Sequence, residues 1–259
     1  MSKGRIRIPL QRLSSSGIEI QKETIVEEHA IQLTAIDIHG DVYTHTTLLA
    51  TPIELLELHA GHVLSEGYVR DIPQLDSFEY RFQESHTVHF NEVLMQKPRG
   101  GIVTSSCGAC NHPDLVVGNI QNGKNKRIIS EFSLHEIQEL LDNLTKQMTM
   151  FKESGGSHGS AFGNQDGSVT FVAEDIGRHN AVDKTIGKAI TLGIEDFSDV
   201  VLLLSGRCGW DIVAKAVRTG ISVIASYGAF SSAAVTLARE NEITLYGFVS
   251  NTGAWKVGY

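Results

Sequence analysis

The fold of this chain is indicated most clearly by the segment Val200-Val201-Leu202-Leu203-Leu204-Ser205-Gly206-Arg207. Its first five residues are all apolar, which is typical of a strand in a sheet that helices cover on both faces. Ser205 and Gly206 then turn the chain at the carboxyl end of that strand. The pattern predicts a central strand of a layered α/β domain, with a polar loop at the sheet edge where such domains bind ligands.

Strand and helix patterns alternate on both sides of this stretch. Strands are predicted at residues 169–173, 221–225 and 244–249, and apolar-striped helices at 182–193, 212–220 and 231–242. This order predicts α/β layers with mostly parallel neighbouring strands. Upstream, Ser133 with Glu136 three residues later forms a capping box that starts a further helix, and residues 154–162 form a loop rich in glycine and serine.

The N-terminal half is expected to be richer in strands. Residues 1–20 are basic, then serine-rich, and are expected to be loosely held. Strands follow within 23–50, a helix opens at Pro52 and closes at Gly67, and further strands are predicted at 78–82, 87–94 and 102–104. With residues 119–126 as linker, the fold class is α/β (α+β overall), with a smaller β-rich domain at 1–118 and an α/β/α domain at 126–259.

Composition excludes several classes of function. The chain has 259 residues with 41% hydrophobic content and a net charge of -8, so no general nucleic-acid or membrane-surface role follows. No apolar run reaches the length of a membrane span, and no apolar segment of a secretory signal follows the basic start. Three cysteines do not suggest a disulfide framework, so a reducing cytoplasm is the expected location.

Two of the cysteines form the motif Cys107-Gly108-Ala109-Cys110, among small residues and before Pro113. Such a turn exposes a sulfur and lowers the pKa of a thiol, which makes Cys107 the candidate nucleophile and Cys110 the supporting or resolving thiol. A zinc site would need a second pair of ligands, and no histidine is followed two residues later by glutamate, as zinc deaminases require. Metal binding is therefore not expected, although a Cys-x-x-Cys redox or zinc protein stays an alternative.

Polar residues collect in the loops that follow the predicted strands. Arg178 and Arg207 stand at turns before helices, where an arginine beside free backbone N–H groups binds phosphate. Four further residues could orient a base or a ribose: His158, Asp175, His179 and Asp183. Together these loops predict an anionic, nucleotide-like ligand, whereas the missing P-loop and G-x-G-x-x-G motifs give no support to ATP hydrolysis or hydride transfer.

Several motifs of the chain resemble the FdhD/NarQ family of formate dehydrogenase accessory sulfurtransferases, from about residue 27 to the end. The motifs are Thr104-Ser105-Ser106-Cys107-Gly108-Ala109-Cys110, Gly155-Gly156-Ser157-His158, Glu174-Asp175-Ile176-Gly177-Arg178-His179-Asn180-Ala181-Val182-Asp183-Lys184, Ser205-Gly206-Arg207 and Gly247-Phe248. The resemblance implies a cytoplasmic homodimer whose C-terminal domain has the cytidine-deaminase-like fold without its zinc chemistry.

The resemblance also implies a function. Cys107 would accept persulfide sulfur from a cysteine desulfurase and pass it to the bis-molybdopterin guanine dinucleotide cofactor of molybdenum. The loaded cofactor would then enter apo-formate dehydrogenase. By position, the tail Phe248-Val249-Ser250-Asn251-Thr252-Gly253 would contact this cofactor, although it departs from the family pattern in having no basic residue. A rival of another class is a chaperone that binds the cofactor without transferring sulfur.

Overall fold

The computed structural model describes residues 4–82, 86–95, 102–103 and 132–258. Within these ranges the strands are, in chain order, β1 (Arg5–Ser14), β2 (Gly17–Val26), β3 (His29–Ile36), β4 (Val42–Ala50), β5 (Phe78–Phe82), β6 (His86–Val93), β7 (Ile102–Val103), β8 (His158–Gly163), β9 (Val169–Asp175), β10 (Val201–Leu204), β11 (Val223–Ser226), β12 (Thr244–Ser250) and β13 (Gly253–Val257). The helices are α1 (Leu55–Ser65), α2 (Leu134–Gln147), α3 (Thr149–Ser154), α4 (Arg178–Thr191), α5 (Trp210–Thr219) and α6 (Ser232–Glu240), with a 3-10 turn at Leu75–Ser77.

The larger sheet has six strands in the order β13-β12-β11-β10-β8-β9. The central strands β10, β11 and β12 run parallel, as expected, but β8, β9 and β13 each pair antiparallel with their neighbours. The expectation of mostly parallel neighbours was therefore wrong for the outer strands. Short turns join β8 to β9 and β12 to β13, and a short turn can connect only antiparallel strands.

Helices cover both faces of this sheet. Along β10, Val201 and Leu203 pack with the apolar side of α2, whereas Leu202 and Leu204 pack with α4, α5 and α6. All four residues are buried, because successive residues of a strand point to opposite faces and both faces are covered. The three-layer α/β/α arrangement is confirmed.

The smaller sheet has five strands in the order β5-β6-β3-β4-β7, and α1 packs across it. The other side of α1 contacts α4 of the larger layer at two glycines. A Cβ atom at Gly61 would lie 1.8 Å from the carbonyl oxygen of Asp183, and one at Gly187 would lie 1.8 Å from that of Glu57. The two helices therefore touch backbone to backbone, which only glycine permits.

Three local expectations were wrong. Residues 5–20, expected to be loosely held, belong to the hairpin β1–β2, which spans residues 5–26. Strand β8 begins at residue 158, inside the predicted loop 154–162, and ends at residue 163. The first helix begins at Leu55 and not at Pro52, after Glu54 in the left-handed region with a φ of 54°. By contrast, the capping box of Ser133 and Glu136 is present at the start of α2.

The predicted linker at 119–126 lies outside the described residues, so the division at 118 and 126 stays a prediction. The two sheets occupy separate stretches of the chain, residues 29–103 and 158–257. No helix within the described ranges is both long and apolar enough to cross a membrane.

Candidate functional site

The candidate site lies at the edge of the larger sheet where β10, β11 and β12 end. Because β8 runs antiparallel to β10, its first residue His158 reaches the same edge. The backbone N–H of Ser205 donates to the carbonyl of Gly159 at 3.0 Å, and the N–H of Gly159 donates to Oγ of Ser205 at 2.8 Å. These bonds fix the start of β8 against the loop that follows β10.

The loops after the three parallel strands interlock. Oγ of Ser226 donates to the carbonyl of Gly206 at 2.5 Å, and the N–H of Phe248 donates to the carbonyl of Gly228 at 3.0 Å. A Cβ atom at Gly228 would lie 2.7 Å from the carbonyl of Gly206, so the loops approach at a distance that a side chain would prevent. The result is one connected surface from the end of β10 to the end of β12.

Basic side chains gather on this surface. Arg178 and His179 form the first turn of α4, and the exposed Arg207 follows β10. A Cβ atom at Gly206 would lie 3.1 Å from Nδ1 of His158 and 3.9 Å from Cβ of Arg178, which places both residues beside the glycine that precedes Arg207. Nε of Arg178 is buried without a hydrogen-bond partner in the described part of the chain, so these residues do not satisfy every donor of this guanidinium.

Asp211 in the first turn of α5 is the carboxylate of this group, and sequence reasoning missed it. Its Oδ2 contacts Nε2 of His179 and lies 3.7 Å from Nη2 of Arg178. Residue spacing could not reveal this pairing because α4 and α5 are separated by a whole strand. The available signal was weak: an acidic residue two positions after Gly209 at the start of a predicted helix.

Burial and neighbouring charge shift the pKa values at this edge. The pKa of His158 is lowered by burial and by the positive charges of Arg178 and Arg207, which favours neutral imidazole. Burial also lowers the pKa of Arg178, while Asp211 opposes that shift. Burial alone would raise the pKa of Asp211, but its hydrogen bond and charge pairing with His179 outweigh burial and lower it. Asp211 is therefore a carboxylate at neutral pH.

Asp175, predicted as a ligand-binding residue, has a structural position. It is fully buried, and its oxygens accept hydrogen bonds from the side chains of Lys184 (2.7 Å) and Asn180 (2.9 Å). The backbone N–H groups of Thr51 and Gly177 also donate to it, at 3.0 Å and 2.8 Å. With four donors from within the chain, Asp175 holds the loop that presents Arg178 and does not itself face the surface.

The predicted cofactor-contacting tail, residues 248–253, covers the end of β12 and the turn into β13, and its side chains divide between core and surface. Phe248 is half-exposed, has a φ of 54°, and packs edge-to-face on Phe230 at 5.5 Å. Val249 is buried against the α2 side of the sheet. Residues 250–253, Ser250, Asn251, Thr252 and Gly253, form the turn into β13, where Ser250 accepts a hydrogen bond from Gln138. Of the predicted tail contacts, Val249 is thus turned away from solvent.

Two groups elsewhere could suggest other chemistry. Cys208 is buried, and burial raises the pKa of its thiol to about 12, so it is no reactive thiolate. His62, Glu66 and Asp183 are close enough together to hold a metal ion. However, Nζ of Lys215 lies 2.5 Å from Glu66 and 2.7 Å from Asp183, so a resident cation already balances these carboxylates.

Helices α4, α5 and α6 all begin at this edge, so their partial positive ends add to the basic side chains. Free N–H groups at helix starts bind phosphate oxygens, and a partly buried arginine adds a charged donor. The described site therefore suits an anionic ligand. Cys107 and Cys110 lie outside the described residues, so their placement relative to this edge stays a prediction.

Comparison with known proteins identifies relatives along most of the chain. The model of the FdhD/NarQ family matches residues 27–255. The chain is 31% identical to the sulfur carrier protein FdhD of Sulfurisphaera tokodaii, over 94% of this chain and 92% of that protein. It is 33% identical to the protein of the same name from Picrophilus torridus, over 88% and 87% of the two chains.

A solved structure shows the same fold. The crystal structure described as that of a formate dehydrogenase accessory protein from Desulfotalea psychrophila superposes with a TM-score of 0.76. It covers 99% of this chain and 98% of that one at 20% identity. The family match includes the motifs that supply Arg178, Arg207, His158 and His179 to the sheet edge described above, here called the cationic edge. The chain belongs to the FdhD/NarQ family.

Proposed function

We propose that this protein is a sulfur carrier that serves the maturation of formate dehydrogenase. Family membership and the names of its relatives support the proposal, as does the solved structure of similar fold. The structural observation that carries it is the cationic edge, where Arg178, Arg207, His158 and His179 collect beside three helix starts.

The proposed cargo is the bis-molybdopterin guanine dinucleotide cofactor of molybdenum, bound as a substrate. Its diphosphate groups are dianionic and fit a site made of arginines and helix N-termini. The partly buried Arg178 and the exposed Arg207 would supply the charged donors. Phe248 and the turn 250–253 would flank the cargo farther along the same edge. Asp211 would keep Arg178 and His179 in place.

The proposed chemistry begins with the Cys107 thiolate. It attacks the outer sulfur of a cysteine desulfurase persulfide, so that one S–S bond breaks, another forms, and the desulfurase cysteine leaves as a thiolate. Delivery of that sulfur as sulfide needs two electrons. Attack by the Cys110 thiolate on Cys107 would supply them, releasing hydrosulfide to the metal and leaving a Cys107–Cys110 disulfide, which a cellular dithiol would reduce.

The partners in this proposal are a cysteine desulfurase, apo-formate dehydrogenase and a second copy of the chain, in the cytoplasm. The protein would need no metal of its own. Cys110 is assigned the supporting role because the initial sulfur transfer needs only one thiolate.

The experiment that tests the proposal is intact-mass spectrometry after incubation with a cysteine desulfurase and cysteine. The wild type should gain the mass of one sulfur atom, and Cys107→Ala should not. Cys110→Ala should still be loaded but should fail to release sulfide. Cys208→Ala is the matched control, because its thiol is buried, and should behave as the wild type.

A wild type that gains no sulfur from a competent desulfurase would overturn sulfur transfer. If the protein is only a chaperone for the cofactor, the Cys107→Ala variant should still support active formate dehydrogenase. A Cys-x-x-Cys redox protein would instead show a reversible disulfide without sulfur loading, and a zinc protein would show stoichiometric metal. Each alternative therefore has its own readout.

A further inference from the structure

The N-terminal arm, residues 5–26, is a ribbon that the rest of the described chain covers only at its base. Strands β1 and β2 pair over ten residues each, from Arg5 opposite Val26 to Ser14 opposite Gly17. At about 3.3 Å per residue the ribbon is about 33 Å long. A two-stranded ribbon is marginally stable in water by itself, so an exposed one is expected to find a partner.

The base of the arm is firmly attached. Nε of Arg5 lies 2.6 Å from Oε2 of Glu153 on α3, and the N–H of Glu27 donates to the carbonyl of Gly4 at 2.9 Å. A Cβ atom at Gly156 would lie 3.2 Å from Val26. Because Gly156 leads into His158, the arm begins beside the strand that enters the candidate site.

The outer half of the arm exposes apolar side chains on one face. Leu13 and Ile18 lie directly opposite each other and are 73% and 67% exposed. Ile20, two residues beyond Ile18 on the same strand and therefore on the same face, is 75% exposed. Large aliphatic groups clustered in this way mark an interaction surface.

The charge of the arm indicates what it binds. Its four basic residues and two glutamates, Arg5, Arg7, Arg12, Lys22, Glu19 and Glu23, give a net charge of +2. The whole chain has a net charge of -8, so everything outside the arm carries -10. A basic arm and an acidic body on the same polypeptide are complementary between two copies, and a two-fold axis would satisfy both arms at once.

We infer that the arm docks on a second copy of this chain, with Leu13, Ile18 and Ile20 buried against the acidic body of the partner. The family model begins at residue 27, directly after the arm, so the family match does not supply this contact. The inference rests on the proposed homodimer and specifies the surface that forms it.

Sedimentation equilibrium of the whole protein tests the inference. The arm variant combines Leu13→Thr, Ile18→Thr and Ile20→Thr, because threonine removes the large apolar group while its β-branched side chain still suits a strand. The control variant combines Ile38→Thr, Val42→Thr and Leu192→Thr, which are also exposed but lie on the body. We expect a dimeric wild type, a dissociation constant raised roughly 100-fold or more in the arm variant, and an unchanged control.

Charge reversal provides a second and independent variant. Arg7→Glu with Arg12→Glu should also weaken the dimer, and added sodium chloride should weaken the wild-type dimer in the same direction. If the wild type is a dimer and neither arm variant dissociates more readily than the wild type, the role of the arm is overturned while the homodimer stands. A wild type that is monomeric at all concentrations would overturn both.

Discussion

Lys184 and Asp175 form an ion pair of 2.7 Å in which neither side chain has any exposure to solvent. Nζ of Lys184 also donates to the carbonyl of Thr51 at 2.9 Å, and the N–H of Thr51 donates to Asp175. The pair thus joins the end of β9 and the helix α4 to the segment that follows β4. It ties the loop that carries Arg178 to the smaller sheet.

Replacement of Lys184 by Met should destabilise the protein strongly. The substitution leaves the Asp175 carboxylate buried without its counter-charge, which costs about 3–5 kcal/mol in comparable sites. The matched control is Lys188→Met on the same helix, whose pair with Glu54 at 2.6 Å is partly exposed and should contribute about 1 kcal/mol or less. Urea unfolding at neutral pH measures both. Equal losses in the two variants would contradict the structural role given to the buried pair.

A side chain at Gly61 should separate α1 from α4. Gly61→Ala places a methyl group where the carbonyl of Asp183 lies, so the helices must move apart, and we expect a loss of about 3 kcal/mol or more. Leu56→Ala on the same helix is the control, because Leu56 is partly exposed and should lose much less. Thermal unfolding monitored by circular dichroism compares them. A Gly61→Ala protein that melts with the wild type would show that the helices are not in this contact.

The buried histidines of the smaller layer should make stability depend on pH. His45 and His59 lie with their Nε2 atoms 2.9 Å apart, and burial lowers the pKa of both well below 6.5. The unfolded chain therefore binds more protons than the folded chain as pH falls below about 6.5, and stability should fall with pH. Each such histidine contributes up to about 1.4 kcal/mol per pH unit in that window.

His59→Gln tests this dependence, because glutamine keeps a hydrogen-bonding group beside His45 but does not titrate. We expect the variant to lose less stability than the wild type between pH 7 and 5 in urea unfolding. His135→Gln replaces an exposed histidine on α2 and should follow the wild type. If the free energy of unfolding falls equally with pH in His59→Gln and in the wild type, His59 is not held neutral by burial.

Arginine substitutions at the cationic edge should weaken anion binding. Arg178→Gln and Arg207→Gln should each raise the dissociation constant for pyrophosphate and for GDP by roughly 10- to 100-fold, since each removes a charged donor worth about 1.5–3 kcal/mol in favourable cases. Arg239→Gln at the far end of α6 is the control. Isothermal titration calorimetry gives the constants. Unchanged binding in both edge variants would place the anion elsewhere on the molecule.

Sequence patterns predicted the elements whose signals are local. The apolar run of β10 and the capping box of α2 depend on neighbouring residues, and both are present. Strand β8 was missed because glycine and serine are poor strand formers, and its pairing with β10 decides its conformation. The hairpin β1–β2 was missed because its serine-rich turn and basic strands also fit an irregular segment.

The candidate site shows the same division. The motif predicted Arg178, His179, Arg207 and His158, and the structure brings them to one edge. The motif could not show that Asp175 is buried beneath the loop and does not face the surface. The burial of Asp175 depends on how the end of β9 contacts the smaller sheet. Asp211 was missed because its partners come from another helix.

The glycine contact between α1 and α4 limits which segments can be exchanged between related proteins. Where two helices meet through bare backbone, no neighbouring side chain can shrink or rotate to accommodate a change, so each glycine depends on the carbonyl opposite remaining in place. A chimaera that takes its first half from one relative and its second half from another would pair an α1 and an α4 whose backbones come from different proteins. We therefore expect α1 and α4 to be exchangeable between relatives only as a pair.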